Sequence, residues 1–285
     1  QVEPAPNYYI SGLQVRADNS IVALTRDGTL DVITDQYVET VISSNTWAHS
    51  FTMDDKWVTI RNVTGCDLVD ISGQRPAVFQ RFPCDVVQCG EHTYTITGYP
   101  RRAVLGNVLV AEAPALAPFP LSADGMFVFK QGCRLYYHNP EKPDVVHRIR
   151  LPHAPSWRPM RLGRRQGGDQ GNGRPHDDVL QHVGKTAMGK IFVLAHYHLR
   201  VLSATAPFGV EWVHSFFEPV YVRSPACVMT EIVLFHTAPM FRDGHNGIVV
   251  DTVARTVRTV LINRRAVWAP SGQVAMSNGF MYRLW

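Results

Sequence analysis

The chain has 285 residues, 45% of them hydrophobic and 10% aromatic, which supports a sizeable core and excludes global disorder. Its formal net charge is only +4, and no apolar run reaches the roughly 18–20 residues of a membrane-crossing helix. The first residue is Gln1 and not Met, so a processed chain or the ordered part of a longer one is expected.

In chain order, short β-branched or aromatic stretches recur at 21–25 (IVALT), 57–61 (WVTIR), 93–97 (TYTIT), 126–130 (MFVFK), 191–195 (IFVLA), 232–236 (IVLFH) and 274–278 (VAMSN). Each is followed by a tight polar turn and a second stretch, at 29–34, 66–71, 107–111, 133–137, 198–202, 247–251 and 280–284. Turns such as Arg26-Asp27-Gly28 and Gln131-Gly132 carry hairpin chemistry. An earlier strand is expected before each pair, as at 13–16 or 220–223, and a more polar one after it, as at 37–41 or 257–261. That makes four antiparallel strands per repeat. No stretch keeps a long 3.6-residue apolar period, so very little helix is expected.

The starts of the first stretches are separated by 36, 36, 33, 65, 41 and 42 residues. A period near ~40 residues with several strands per repeat is the pattern of propeller blades. Strands that are apolar throughout, such as 126–129, suit sheets covered on both faces. The expected organisation is one domain over 1–285. Its blades fall near 10–44, 45–82, 83–116, 117–152, 153–217, 218–263 and 264–285 with 1–9. The last repeat ends at its third strand, and residues 1–9 are expected to supply the fourth as a latch, against the resistance of Pro4 and Pro6 to a central strand. Blades three and six look irregular, with an extended turn at Pro100-Arg101-Arg102 and an insertion at 240–245.

On these repeats the chain resembles the seven-bladed β-propeller superfamily, with blades loosely like WD-repeat or quinoprotein-type blades. No Trp-Asp dipeptide closes a blade, Gly167-Gly168 lies in a loop, and no Ser-x-Asp-x-Gly-x-x-Trp box is present, so no specific family is indicated. The resemblance implies an all-β fold that commonly serves as an interaction platform.

The 65-residue spacing contains an insertion at 158–176, rich in glycine and poor in aliphatics, expected as a surface loop. It carries Arg158, Arg161, Arg164, Arg165 and Arg174 against Asp169. Without these, the chain's 28 basic and 24 acidic residues become 23 of each, so the excess charge resides here. Such a segment suits an acidic or phosphate-bearing partner, the bland alternative being a solvated insertion. The ends of the first stretches, Thr25, Arg61, Thr97, Lys130, Ala195, His236 and Asn278, with neighbours such as His196, would ring one channel mouth. Arg61, Lys130, His196 and His236 would suit an anionic ligand there, unless strand ends are polar only because they meet water.

His196, His198 and His236 offer a three-imidazole metal site in principle. However, the first two flank a hairpin turn and no acid stands near them in sequence, so no metal is expected. No Gly-x-Ser-x-Gly elbow or phosphate-binding glycine loop occurs, and neither catalysis nor a cofactor is expected. Cys66, Cys84, Cys89, Cys133 and Cys227 are odd in number and lack zinc spacing. They are expected as buried free thiols, with Cys66 and Cys133 opening strands, which favours an intracellular location over the weak sequon Asn62-Val63-Thr64. The function expected is a non-enzymatic scaffold for a protein partner. The alternatives are a hydrolase or lyase at the channel mouth, a polyanion or nucleic-acid binder, and a structural particle component.

Overall fold

A computed structural model describes residues 10–15, 20–25, 28–33, 38–43, 48–53, 56–72, 77–113, 121–152, 179–229, 231–240, 245–260, 267–268, 274–277 and 280–283. Among these residues there are strands and turns and no helix.

The first sheet contains β1 (Ile10–Val15), β2 (Ile21–Thr25), β3 (Thr29–Ile33) and β4 (Val38–Ser43) in spatial order. The second has β5 (Ala48–Met53), β6 (Trp57–Asn62), β7 (Gly65–Asp70) and β8 (Ala77–Phe82). The third has β9 (Asp85–Cys89), β10 (His92–Thr97), β11 (Arg101–Leu105) and β12 (Val108–Ala113), and the fourth β13 (Leu121–Ala123), β14 (Met126–Gln131), β15 (Arg134–His138) and β16 (Val146–Ile149). The fifth has β17 (Leu180–Lys185), β18 (Ile191–Ala195), β19 (His198–Leu202) and β20 (Val210–Ser215), and the sixth β21 (Val222–Met229), β22 (Ile232–Met240), β23 (His245–Asp251) and β24 (Thr256–Val260). A three-stranded sheet follows, with β25 (Val267–Trp268), β26 (Val274–Ser277) and β27 (Phe280–Arg283).

Within each sheet, chain neighbours pair antiparallel. The exception to this local order is β1, which also pairs parallel with β21, Gln14 opposite Val228, so the first and sixth sets of strands join through their inner strands into one eight-stranded sheet. The latch expected from residues 1–9 lies outside the described residues.

A second strand such as β18 is apolar at every position because both faces of its sheet are covered. All five residues of β18 are buried, whereas the outermost strand β20 alternates between exposed and partly buried positions. The cores accordingly lie between sheets and not within them. Val22, Leu24 and Leu30 pack with Val58, Ile60 and Val69 between the first and second sheets. Tyr94 and Ile96 meet Phe127 and Phe129 between the third and fourth. Val128 and Leu135 meet Val183 and Val193 between the fourth and fifth, and Phe192 and Leu194 meet Val233 and Phe235 between the fifth and sixth. One turn leaves room for glycine alone. At Gly65 (φ +144°) a Cβ would lie 2.0 Å from the carbonyl oxygen of Phe82.

Four expectations require correction. Pro100-Arg101-Arg102 is not an extended turn, because Arg101 opens β11; residues 107–111, expected beside β10, fall mostly in the outer strand β12. The paired arginines look like loop residues in sequence, but each has a carboxylate partner, Asp85 for Arg101 and Glu112 for Arg102. At the expected insertion 240–245, β22 runs through Met240 and β23 starts at His245, opposite it, while residues 241–244 lie outside the described residues. The sixth sheet's inner strand begins at Val222, leaving Val220 in the preceding link. Cys133 is exposed in the turn made with Gly132 (φ +62°) and does not open β15. Cys66 and Cys89 are buried free thiols and Cys84 is partly buried; the Cys227 side chain lies outside the described residues.

His182 on β17 sits between the rings of Phe192 (5.8 Å, stacked) and Phe235 (5.9 Å, edge-on). Burial lowers its pKa to about 4, below the ordinary value of 6.5. Between these values the unfolded chain binds the proton and the folded chain does not, so this contribution to stability is lost as pH falls through that window. After discounting for its partial exposure, acidification from about pH 7 to about pH 4 should cost about 2 kcal/mol more in the native chain than in His182→Leu. Urea unfolding of both proteins at the two pH values checks this, and equal losses would contradict it.

Candidate binding face

Because the first strand of every sheet runs away from one face and the second returns to it, that face collects two kinds of segment. These are the turns between second and third strands and the links from one sheet to the next. The described strand-end residues among those expected to ring a channel mouth belong to it.

Three of these residues share one geometry. Arg61, near the end of β6, is buried and places its Nε 3.5 Å from Oδ1 of Asp85, the first residue of the next sheet. Lys130, near the end of β14, donates from Nζ to the carbonyl of Leu180 at 2.7 Å, again the first residue of the next sheet. His196, just after β18, accepts at its carbonyl the N–H of Val220 at 2.7 Å, and its ring stands 5.0 Å from that of Tyr221, in the link to the next sheet. Its Nε2 accepts from the Gln181 amide. Each therefore tethers its own sheet to the one that follows.

Burial lowers the pKa values of Arg61 and Lys130, partly offset for Arg61 by the Asp85 charge. Asp85 also receives Arg101, and so gathers two guanidinium groups from neighbouring sheets. The Cys66 thiol beside it is pushed up to about 11 by burial, which keeps it protonated and unreactive at neutral pH.

Thr97 is exposed and Ala195 fully buried. The backbone of His236 lies in β22 opposite Ser224 and Gly247, while its side chain falls outside the described residues. So do Asn278 and the whole 158–176 insertion with Arg158, Arg161, Arg164, Arg165 and Arg174. His196 and His198 stand on either side of the β18–β19 turn, and no group of three His, Cys, Asp or Glu suited to a metal occurs among the described residues.

A second polar junction was not visible in sequence. Tyr94 of β10 donates its hydroxyl to Nδ1 of the fully buried His138 at 2.7 Å, and Nε2 of that histidine donates to the Pro143 carbonyl at 2.9 Å. The tyrosine ring stacks on Phe127 at 4.3 Å, and burial raises the pKa of its hydroxyl.

The same face carries all four exposed large aromatics among the described residues. Tyr99 (90% exposed) and Tyr197 (42%) occupy second-to-third-strand turns, and Phe217 (78%) and Tyr221 (51%) the link from β20 to β21. Sequence inspection missed these positions, since 220–223 reads as a strand.

Comparison with known proteins supports the architecture. No family model matches the chain, and no curated protein does. Among solved structures, the Cps50 (Swd1) β-propeller domain of Myceliophteria thermophila aligns with TM-score 0.53 at 10% identity, over 100% of both chains. PorZ, a surface component of the type-IX secretion system of Porphyromonas gingivalis, also aligns with TM-score 0.53 at 10% identity, over 97% of this chain and 36% of its own length.

The Arg61–Asp85 contact predicts a mutational cost. Asp85→Ala removes the carboxylate beside a buried guanidinium and should destabilise the fold by about 3 kcal/mol. Asp85→Asn, which can still accept hydrogen bonds, should cost less; urea midpoints of the two variants check the order. At this level of identity the likeness is one of fold alone, and the chain is a divergent β-propeller of no specific family.

Proposed function

We propose that the chain is a non-enzymatic interaction platform, holding a protein partner on the face where its second strands end. The observation that carries this reading is the gathering of every described exposed large aromatic on that one face. Monomeric surfaces seldom group large apolar side chains without a binding role. Pro152 and Val179, the described residues on either side of the 158–176 insertion, follow a fourth strand and precede a first one on that face. The insertion's five arginines suit an acidic or phosphate-bearing surface on the partner.

The expected mouth residues favour a platform over catalysis. Arg61 is committed to Asp85 and Lys130 to the Leu180 carbonyl, so both serve the joints between sheets. A general acid or base needs a group free to meet substrate.

The test is a quantitative pull-down from host lysate with the intact chain and with a form whose residues 158–176 are replaced by a short Gly-Ser linker. Circular dichroism establishes that both fold. A partner captured by the intact chain and lost from the replaced form is the expected result. Identical profiles would reduce the insertion to a passive loop, and no partner for either form would overturn the platform reading.

A further inference from the structure

Three of the four exposed aromatics belong to one joint. Tyr197 lies in the β18–β19 turn, and Phe217 and Tyr221 lie in the link from β20 to β21. The two segments are bonded to each other. The Phe216 N–H donates to the Tyr197 carbonyl at 2.8 Å, and the Val220 N–H to the His196 carbonyl at 2.7 Å. These bonds close residues 217–219 into a short loop, which Pro219 stiffens by fixing its own φ. Phe216 and Val220, at the ends of the loop, are buried in the core between the fifth and sixth sheets. Phe217 and Tyr221 are thus exposed on an anchored base, as an aromatic shelf beside Tyr197.

The charge inside the shelf is negative. Glu218 stands in the loop between Phe217 and Pro219, exposed and with no hydrogen-bond or ion-pair partner among the described residues. The two bonded segments, 196–198 and 216–221, contain no other acid and no lysine or arginine. The cations of the strands beside them are placed elsewhere. Arg200 is buried and donates to the Pro152 carbonyl at 3.5 Å, and Lys130 donates to the Leu180 carbonyl. Lys185 and Lys190 stand at the opposite end of the fifth sheet, and the Arg223 side chain lies outside the described residues. Farther round this face, Arg81, Arg101 and Arg102 are paired with Asp67, Asp85 and Glu112. Exposed Arg134 and Arg150 belong to the fourth sheet. Stacked sheets lie about 10 Å apart, and salt screens charges beyond about 8 Å at physiological ionic strength. Glu218 therefore sets the sign that a ligand on the shelf would meet.

Aromatic faces beside a carboxylate suit a planar organic cation. The rings attract positive charge through their quadrupoles, and a carboxylate accepts two parallel N–H donors from one guanidinium. We propose that Tyr197, Phe217, Tyr221 and Glu218 dock an arginine side chain presented by a peptide segment of a protein partner. The guanidinium stacks on the aromatics while its N–H groups donate to the Glu218 carboxylate. A nucleic acid fits less well, since its phosphates would meet that carboxylate on crossing the rings. The inference rests on the platform reading and adds to the basic insertion a second contact, of opposite sign.

The experiment is selection of a displayed random-peptide library on the intact 285-residue chain, with counter-selection on the Phe217→Ser/Tyr221→Ser double variant. Enriched peptides are then titrated by fluorescence polarisation against the intact chain, the double variant, Glu218→Gln and the Gly-Ser loop replacement. Circular dichroism establishes that each is folded, as expected for changes at exposed positions. The expected peptides share an arginine. They should bind the double variant at least about tenfold more weakly and Glu218→Gln about threefold more weakly, and keep their affinity for the loop replacement. Replacing their arginine by uncharged citrulline should weaken binding to the intact chain and leave the residual binding to the double variant unchanged.

Shelf-dependent peptides that lack arginine, equal affinity of the arginine and citrulline forms, or undiminished binding to Glu218→Gln would overturn the proposal. So would tighter binding to the loop replacement, which would make the chain's own arginines the occupant. If no shelf-dependent peptide emerges while loop-dependent capture from lysate persists, the platform reading stands and the shelf proposal falls. If both fail, both readings fall.

Discussion

A sheet with two apolar faces has no stable existence alone in water, and that constraint organises this molecule. Buried residues run consecutively through Trp57–Ile60, Val86–Cys89, Phe127–Phe129 and Ile191–Ala195, so both faces of these sheets must be covered. Each fully buried large side chain contributes roughly 1.5–3 kcal/mol relative to an exposed one. A single four-stranded sheet could realise only part of that gain. Stacking sheet upon sheet realises it on both sides, and the outermost strand, as the alternation of β20 shows, is where coverage ends.

Stacking also fixes the fate of polar groups at strand ends. A residue finishing a second strand lies beside the inner strand of the next sheet and meets that backbone as well as solvent. Arg61, Lys130 and His196 each take that neighbour as partner. The Tyr94–His138 bond does the same work deeper in the joint between the third and fourth sheets. Apolar packing alone tolerates sliding, whereas these directional bonds are satisfied at one register only. The exposed aromatics are then set by the links, where Phe216 and Val220 turn inward and their neighbours Phe217 and Tyr221 are exposed.

Much of the architecture was legible because the repeat of apolar second strands directly reflects two-sided burial. β11 was hidden by its opening arginines, whose polarity marks a loop in sequence but is neutralised here by Asp85 and Glu112. Cys133 was misplaced because one Gly-containing turn shifted the start of β15 by a residue. The candidate site was less legible still. Nothing in the sequence around Arg61 announces Asp85, which lies a sheet away and becomes a neighbour only through stacking. Likewise Phe217 and Tyr221 are indistinguishable from core aromatics until the direction of their link is known.

Mutual burial of the sheets implies that they unfold together. The direct measurement is native-state hydrogen exchange, followed at the amides of Val58–Ile60, Phe127–Phe129 and Ile191–Ala195 in three different sheets. The account predicts one shared opening free energy for all three segments, equal to that of global unfolding. A sheet that opened separately, with a distinctly lower free energy and its neighbours still protected, would contradict it.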